Sequence, residues 1–172
     1  MAVLKIARMG HPALMGIAEP VSDPRDPEIR RLVADMVDTM RDAPGIGLAA
    51  PQVHVPLRLV IYMVPEGRTD DGEGHPLTAL INPEITVQDD ALEEGVEGCL
   101  SLPGMAGRVA RPRHIRINAL DLDGNALEYE AEGYHARVVQ HECDHLDGIL
   151  YPMRMTDLAS FGYVEEMTKA PE

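Results

Sequence analysis

The chain has 172 residues, with 15 Lys and Arg against 29 Asp and Glu, a formal net charge of -14 and no Trp. That length suits one domain over 1–172 with a buried core, while the acidic balance and 3% aromatic content exclude general binding to nucleic acid or anionic membranes. Two cysteines, Cys99 and Cys143, are too few for a disulfide scaffold, and no apolar run reaches signal-peptide or membrane-spanning length, so the expected setting is the reducing cytoplasm.

Asp26-Pro27 reads as a helix start, because Asp can cap the first turn and Pro suits it; Ile29, Leu32, Val33, Met36, Val37 and Met40 then form one apolar stripe. The helix stops before Pro44-Gly45, which opens a small-residue loop running from Gly45 to Gln52. Leu57 to Val64 is rich in branched residues and predicts a strand, and the polar stretch from Glu66 to His75 predicts a surface loop. Thr78 to Val87 and His114 to Leu122 read as further strands, and Asp123-Gly124 before Ala126 to Ala131 reads as a hairpin. Beyond Gly133 the helical pattern returns through Val138, Val139, His141, His145 and Leu146, with Gly148 placed to end it. Asp157 to Met167 predicts a short terminal helix within a tail over 156–172. Antiparallel strands around one helix give an α+β class rather than a regularly alternating α/β fold.

That helix carries His141-Glu142-Cys143-Asp144-His145. Each residue of an α-helix advances about 100°, so His145 lies within roughly 40° of His141 and one turn further along, and both imidazoles can reach one ion. Glu142 flanks the same face and can serve a water there, whereas Cys143 points about 200° away and reads as a packing residue. Three completions of such a site make different demands. A third His six residues after the second is ruled out, because Tyr151 stands at that position although Gly148 matches the accompanying Gly. A Glu about twenty residues downstream is available in Glu165 or Glu166, and spacing alone leaves that open. A thiolate from Cys99, inside Glu97-Gly98-Cys99-Leu100-Ser101, is the third possibility.

Three segments in order, Gly45-Ile46-Gly47-Leu48-Ala49-Ala50-Pro51-Gln52, Glu97 to Ser101, and Gln140 to Leu146, resemble the signature motifs of peptide deformylases, and the similarity runs from about Ile6 to Met155. The resemblance implies that Cys99, His141 and His145 hold one divalent metal ion, with Glu142 as general base and then acid. It implies oxyanion donors in the side-chain amide of Gln52 and the backbone N–H of Leu100. The implied reaction is hydrolysis of the formyl group from the N-terminal formylmethionine of nascent polypeptides, releasing formate, with transient ribosome contact as a further expectation. Ferrous iron is the metal the family commonly uses, and Zn2+, Ni2+ or Co2+ suit the same ligands.

Gly45, Gly47 and Gly98 are expected to let an extended substrate backbone come close, since a Cβ would obstruct it. The methionine side chain is assigned to a pocket of Ile46, Tyr134 and Val138, the last two lying seven and three residues before His141. Arg137 occupies a position that is apolar in some deformylases and is expected at the pocket rim. Asp144 either orients a ligand or pairs with a base. Readings from other classes are a zinc peptidase or amidase with Glu165 as third ligand, a metal-free hydrolase with Cys99 as nucleophile, and a deformylase-like protein holding a structural metal. His11, His54, His75, His114 and His135 read as surface or core residues.

Overall fold

Helix α1 covers Pro27–Asp42 in the computed structural model, which describes residues 2–169; Met1 and 170–172, included in the expected domain and tail, lie outside the described residues. The Asp26 carboxylate accepts a hydrogen bond from the Glu28 N–H, satisfying one of the donors that a helix start leaves unpaired. The stripe of Ile29, Val33, Met36 and Met40 is buried against Leu48, Leu59, Ile61 and Ile81.

Strands β1 (Gly47–Ala49), β2 (Leu59–Val64), β3 (His75–Val87), β6 (His114–Leu120) and β7 (Ala126–Glu132) form a five-stranded sheet in the order β1-β2-β3-β6-β7, every neighbouring pair antiparallel. Successive residues of β2 point to opposite faces, so Leu59 and Ile61 join the core under α1 while Val60 and Tyr62 join the core under helix α2 (Gly133–Leu146). Val139, Cys143 and Leu146 of α2 pack there with Leu80, Ile115 and Ile117. Cys143 is thus a core residue, as expected.

A second sheet joins β4 (Leu92–Cys99), β5 (Leu102–Pro112) and β8 (Gly162–Tyr163), also antiparallel. Leu102 and Val109 of β5 form a third cluster with Leu150 and Tyr151, which follow α2. Neither β4 nor β5 was delimited from sequence, because glycines and charges interrupt their alternation. The expected terminal helix over Asp157–Met167 is corrected: Leu158–Ser160 form a 3-10 turn, Gly162 and Tyr163 pair with β5, and helix α3 is confined to Val164–Met167. Gly162 lacks the side chain a helix interior favours, and strand pairing supplies its backbone partners instead. Among the described residues no helix is long and apolar enough to cross a membrane.

Candidate metal centre

Helix α2 points its motif face at the gap between the two sheets, and its residues from Ala136 to Leu146 are all buried. Its end is fixed by Gly148, whose φ of +71° suits glycine and where a Cβ would stand 2.8 Å from the Met15 carbonyl oxygen. Cys99 arrives from the end of β4. Among the described residues, the side chains whose ligating atoms converge closely enough to share a cation are Cys99, His141 and His145, all within 4.8 Å of one another. Glu165 and Glu166, on α3, are exposed, so the third-ligand reading for Glu165 is corrected: α3 presents these carboxylates to solvent rather than to the paired histidines.

The donor set is prepared for a cation. The Nδ1 of His141 lies 2.8 Å from Glu97 Oε2 and donates to it, which leaves its Nε2 lone pair for an ion. His145 Nε2 is 3.3 Å from Cys99 Sγ, and the two imidazole rings stand nearly perpendicular with centroids 5.2 Å apart. Burial, reinforced by His141, holds His145 well below the usual histidine range, so it stays neutral and able to ligate. At His141 burial opposes protonation, but hydrogen bonds with Cys99 and Glu97 outweigh it and raise the pKa to about 10. A positive charge is therefore favoured at this point, and a divalent cation satisfies that demand with the thiolate and neutral imidazole donors characteristic of such sites. Two buried polar atoms here, Glu142 Oε2 and His145 Nδ1, have no protein partner among the described residues.

Glu142 is fully enclosed, and burial pushes its carboxyl up to about 7 in the protein alone, poised between accepting and giving a proton near neutrality. Across from it, Gln52 is held in one orientation: Oε1 accepts from the Ala49 N–H at 2.8 Å, so Nε2 faces Ser101 Oγ at 3.1 Å and Cys99 Sγ at 3.5 Å. Leu100 occupies the turn joining β4 to β5. A groove of about 550 Å³ is lined by Gly45, Ile46, Gly47, Gln52, Gly98, Cys99, Leu100, Tyr134, His141 and Glu142 among others. A smaller recess of about 80 Å³ shares Ile46, Gly98, Tyr134, His141 and Glu142 with it and adds Val96, Glu97, Arg137 and Val138. A cleft of about 580 Å³ on the far side of α2, beside Arg58, Cys143 and Asp144, includes none of the three ligating side chains.

A family model described as polypeptide deformylase matches residues 3–160. The chain belongs to the polypeptide deformylase family. It is 52% identical over 161 residues to peptide deformylase 1 of Bordetella pertussis, covering 93% of this chain and 92% of that protein. With peptide deformylase 1 of Prochlorococcus marinus it shares 47% identity over 172 residues, 99% of this chain and 90% of that one. Among solved structures, the Ehrlichia chaffeensis deformylase in complex with actinonin superposes with a TM-score of 0.85 at 36% identity, covering 93% of this chain and 92% of that chain. The Met-Ala-Ser-bound class I type b deformylase of Acinetobacter baumannii gives 0.83 at 37%, covering 90% and 99%.

In this deformylase chain the glycines of the first motif meet neighbours that the sequence did not reveal. A Cβ on Gly47 would collide with the Glu142 carboxylate, and one on Gly45 would come within 2.7 Å of the Leu100 side chain. At both positions side chains of the protein itself come close. Gly98 is roomier, with the nearest atom 3.4 Å from an added Cβ. Ile46, Tyr134 and Val138, expected to share one pocket, all line the small recess. Arg137, expected at the pocket rim, borders the small recess and is itself buried, with 4% exposure; its Nη1 donates to Glu97 Oε1 and to the Val109 carbonyl, both at 2.8 Å. Asp144 pairs with Arg111 at 2.8 Å and with Arg154 at 2.7 Å, contacting bases rather than a ligand.

Sequence reasoning assigned no role to Glu97, Arg111 or Ser101. Glu97 is buried and accepts from Arg111 Nε at 2.7 Å and Arg111 Nη2 at 2.9 Å, besides Arg137 and His141. These bonds outweigh the burial that disfavours its charge and hold its pKa at about 2. The usable signal was proximity: Glu97 lies two residues before the Cys99 thiol, although the pairing register of β4 shifts between Gly98 and Cys99, so alternation alone does not place them together.

Proposed function

We propose that this protein hydrolyses the N-formyl group from the N-terminal formylmethionine of newly made polypeptides, releasing formate, at a divalent metal held by Cys99, His141 and His145. The observation that carries the reading is the convergence of those three donors beside the enclosed Glu142 carboxylate. A metal ion bound there supplies Lewis acidity and lowers the pKa of water toward neutrality. Glu142 takes the proton released as water attacks the formyl carbon and returns it to the departing amine nitrogen. Its burial, which raises its pKa, favours both halves of that shuttle near pH 7.

Gln52 Nε2 and the Leu100 N–H are assigned to the negative charge that develops on the formyl oxygen. The lock between Gln52 Oε1 and the Ala49 N–H supports that role, because the donor is aimed before substrate arrives. Gly45, Gly47 and Gly98 border the groove along which an extended peptide backbone lies, and Ile46, Tyr134 and Val138 take the methionine side chain. Main-chain recognition of that kind leaves sequence beyond the first residue largely unread. Residues 1–172 are taken as one catalytic domain. Ferrous iron is the proposed native metal, with Zn2+, Ni2+ or Co2+ as substitutes, in the reducing cytoplasm that keeps Cys99 a thiolate and with transient contact at the ribosome where nascent chains emerge. Chelation of the purified protein is expected to abolish formate release from a formyl-Met-Ala-Ser peptide, and anaerobic Fe2+ to restore it. Turnover that survives verified metal removal but not thiol alkylation would replace this reading with a cysteine hydrolase.

A further inference from the structure

Lys5, Arg8, His11 and His54 line a surface cleft of about 560 Å³ that contains no carboxylate. In a chain with 29 Asp and Glu against 15 Lys and Arg, such a cleft is out of keeping with the rest of the surface. Arg111, Arg113 and Arg116 each face a carboxylate, whereas among the described residues the side chains of Lys5, Arg8 and His54 make no ion pair or hydrogen bond. The backbone holds them in place. On either side of Arg8, the Ala7 and Met9 N–H groups donate to the Gln52 carbonyl at 2.7 Å and the Ser101 carbonyl at 2.9 Å, with Ala7 buried and Arg8 exposed. The His11 and His54 rings meet edge-on at 4.7 Å, and His11 Nδ1 accepts from the Ala13 N–H, which leaves Nε2 as its donating nitrogen.

The cleft adjoins the groove of the metal centre. Ile6 lines both, and between them a recess of about 280 Å³ shares Ala43, Leu100 and Pro103 with the groove and Arg8 with the basic cleft, Asp42 being its one carboxylate. We propose that Lys5 and Arg8, with His11 and His54 beside them, form a docking point for acidic side chains of the substrate polypeptide a few residues beyond its formylmethionine. The proposal rests on the deformylase reading of the groove. A net charge of -14 repels acidic segments, and a local group of uncompensated cations on the path away from the groove offsets that repulsion. The backbone N–H groups that flank Arg8 are already bonded to Gln52 and Ser101, so the cleft offers side-chain cations rather than the backbone cradle of a phosphate site. Exposed pairs of this kind hold a carboxylate weakly, as suits a product that has to leave.

The test compares metal-loaded wild type with the double variant Lys5→Gln, Arg8→Gln on amidated peptides that begin formyl-Met-Ala-Ser and carry a single Glu or a single Lys at successive later positions among alanines. At one or two neighbouring positions the Glu-to-Lys ratio of kcat/KM is expected to fall about three- to tenfold from wild type to variant, the scale of two exposed ion pairs, through KM rather than kcat. High salt is expected to erase the difference, and Arg8→Glu to favour Lys at those same positions. A ratio that the double variant leaves unchanged at every position, or shifts equally at all of them, would overturn the proposal. Displacement of the His11 and His54 ring resonances by inorganic phosphate but not by the deformylated Glu peptides would overturn it in favour of a phosphate ligand. No turnover of formyl-Met-Ala-Ser amide by fully loaded wild type would instead overturn the deformylase reading itself.

Discussion

Glu97 shows how one side chain joins charge, stability and chemistry. Its two oxygens accept from Arg111, Arg137 and His141, so one carboxylate pairs with two buried guanidinium groups, the first of them shared with Asp144, and sets the tautomer of a candidate metal ligand. The Arg111 guanidinium continues to Asp144, which Arg154 also holds, so His141 is anchored through a chain of ion pairs reaching the surface. Glu97→Gln keeps the size and an acceptor for His141 while removing the charge. It is expected to weaken metal affinity by about 10- to 100-fold and to lower stability by about 3–5 kcal/mol, the cost of breaking a buried pair. Metal titration and chemical denaturation of the variant read the two effects separately. An unchanged metal affinity would mean that His141 is oriented without Glu97.

At the scale of elements, β1 and α2 meet where Gly47 faces Glu142. Gly47→Ala places a methyl group in the space of the carboxylate, so one of the two must move. A displacement of about 1 Å at a reacting group can cost about 100-fold; kcat on a formyl-Met peptide is expected to fall by about that factor with metal content retained, and undiminished kcat would contradict the contact. Such contacts explain which parts of this molecule could be read from its residues. Helix α1 was legible because cap, proline and apolar stripe agree, and α2 because the histidine spacing and the hydrophobic period coincide. Four strands of the five-stranded sheet were legible from branched runs and a turn, whereas β1 falls inside the stretch read as a small-residue loop. By contrast, β4 and β5 owe their pairing to one another and to Tyr151 and Leu150 beneath them, which local patterning does not encode. The terminal segment was misread for a related reason: its apolar residues suit a helix, but Gly162 and Tyr163 find partners on β5. At the site, residue types and order pointed to the three donors that converge, whereas the buried ion pairs of Glu97 and Arg137 depend on strands far apart in sequence.

For the molecule as a whole, acid stability is set partly by a cluster away from the metal ligands. Tyr62 hydroxyl contacts Tyr129 at 2.7 Å and His135 Nε2 at 2.9 Å, and the His75 and His135 rings lie 4.4 Å apart. Burial first, and His75 second, lower the His135 pKa from 6.5 to about 4, and burial also lowers that of His75. Below pH 6.5 the unfolded chain binds protons at these positions that the folded chain refuses, so stability is full above that pH and falls as pH drops toward 4. Denaturation midpoints between pH 7 and 4.5 are expected to fall less steeply in His135→Gln, which keeps a partner for Tyr62, than in wild type. Parallel pH profiles would remove the cluster from acid sensitivity.

In the proposed function Cys99, His141 and His145 hold the metal and Glu142 moves the proton. Formate release from a formyl-Met peptide by anaerobically purified wild type, Glu142→Ala and Cys99→Ala, with metal content measured on the same samples, tests it most directly. Turnover is expected from wild type alone, with metal kept in Glu142→Ala and lost in Cys99→Ala. Metal retained at full occupancy in Cys99→Ala, or no turnover by a fully loaded wild type, would contradict it.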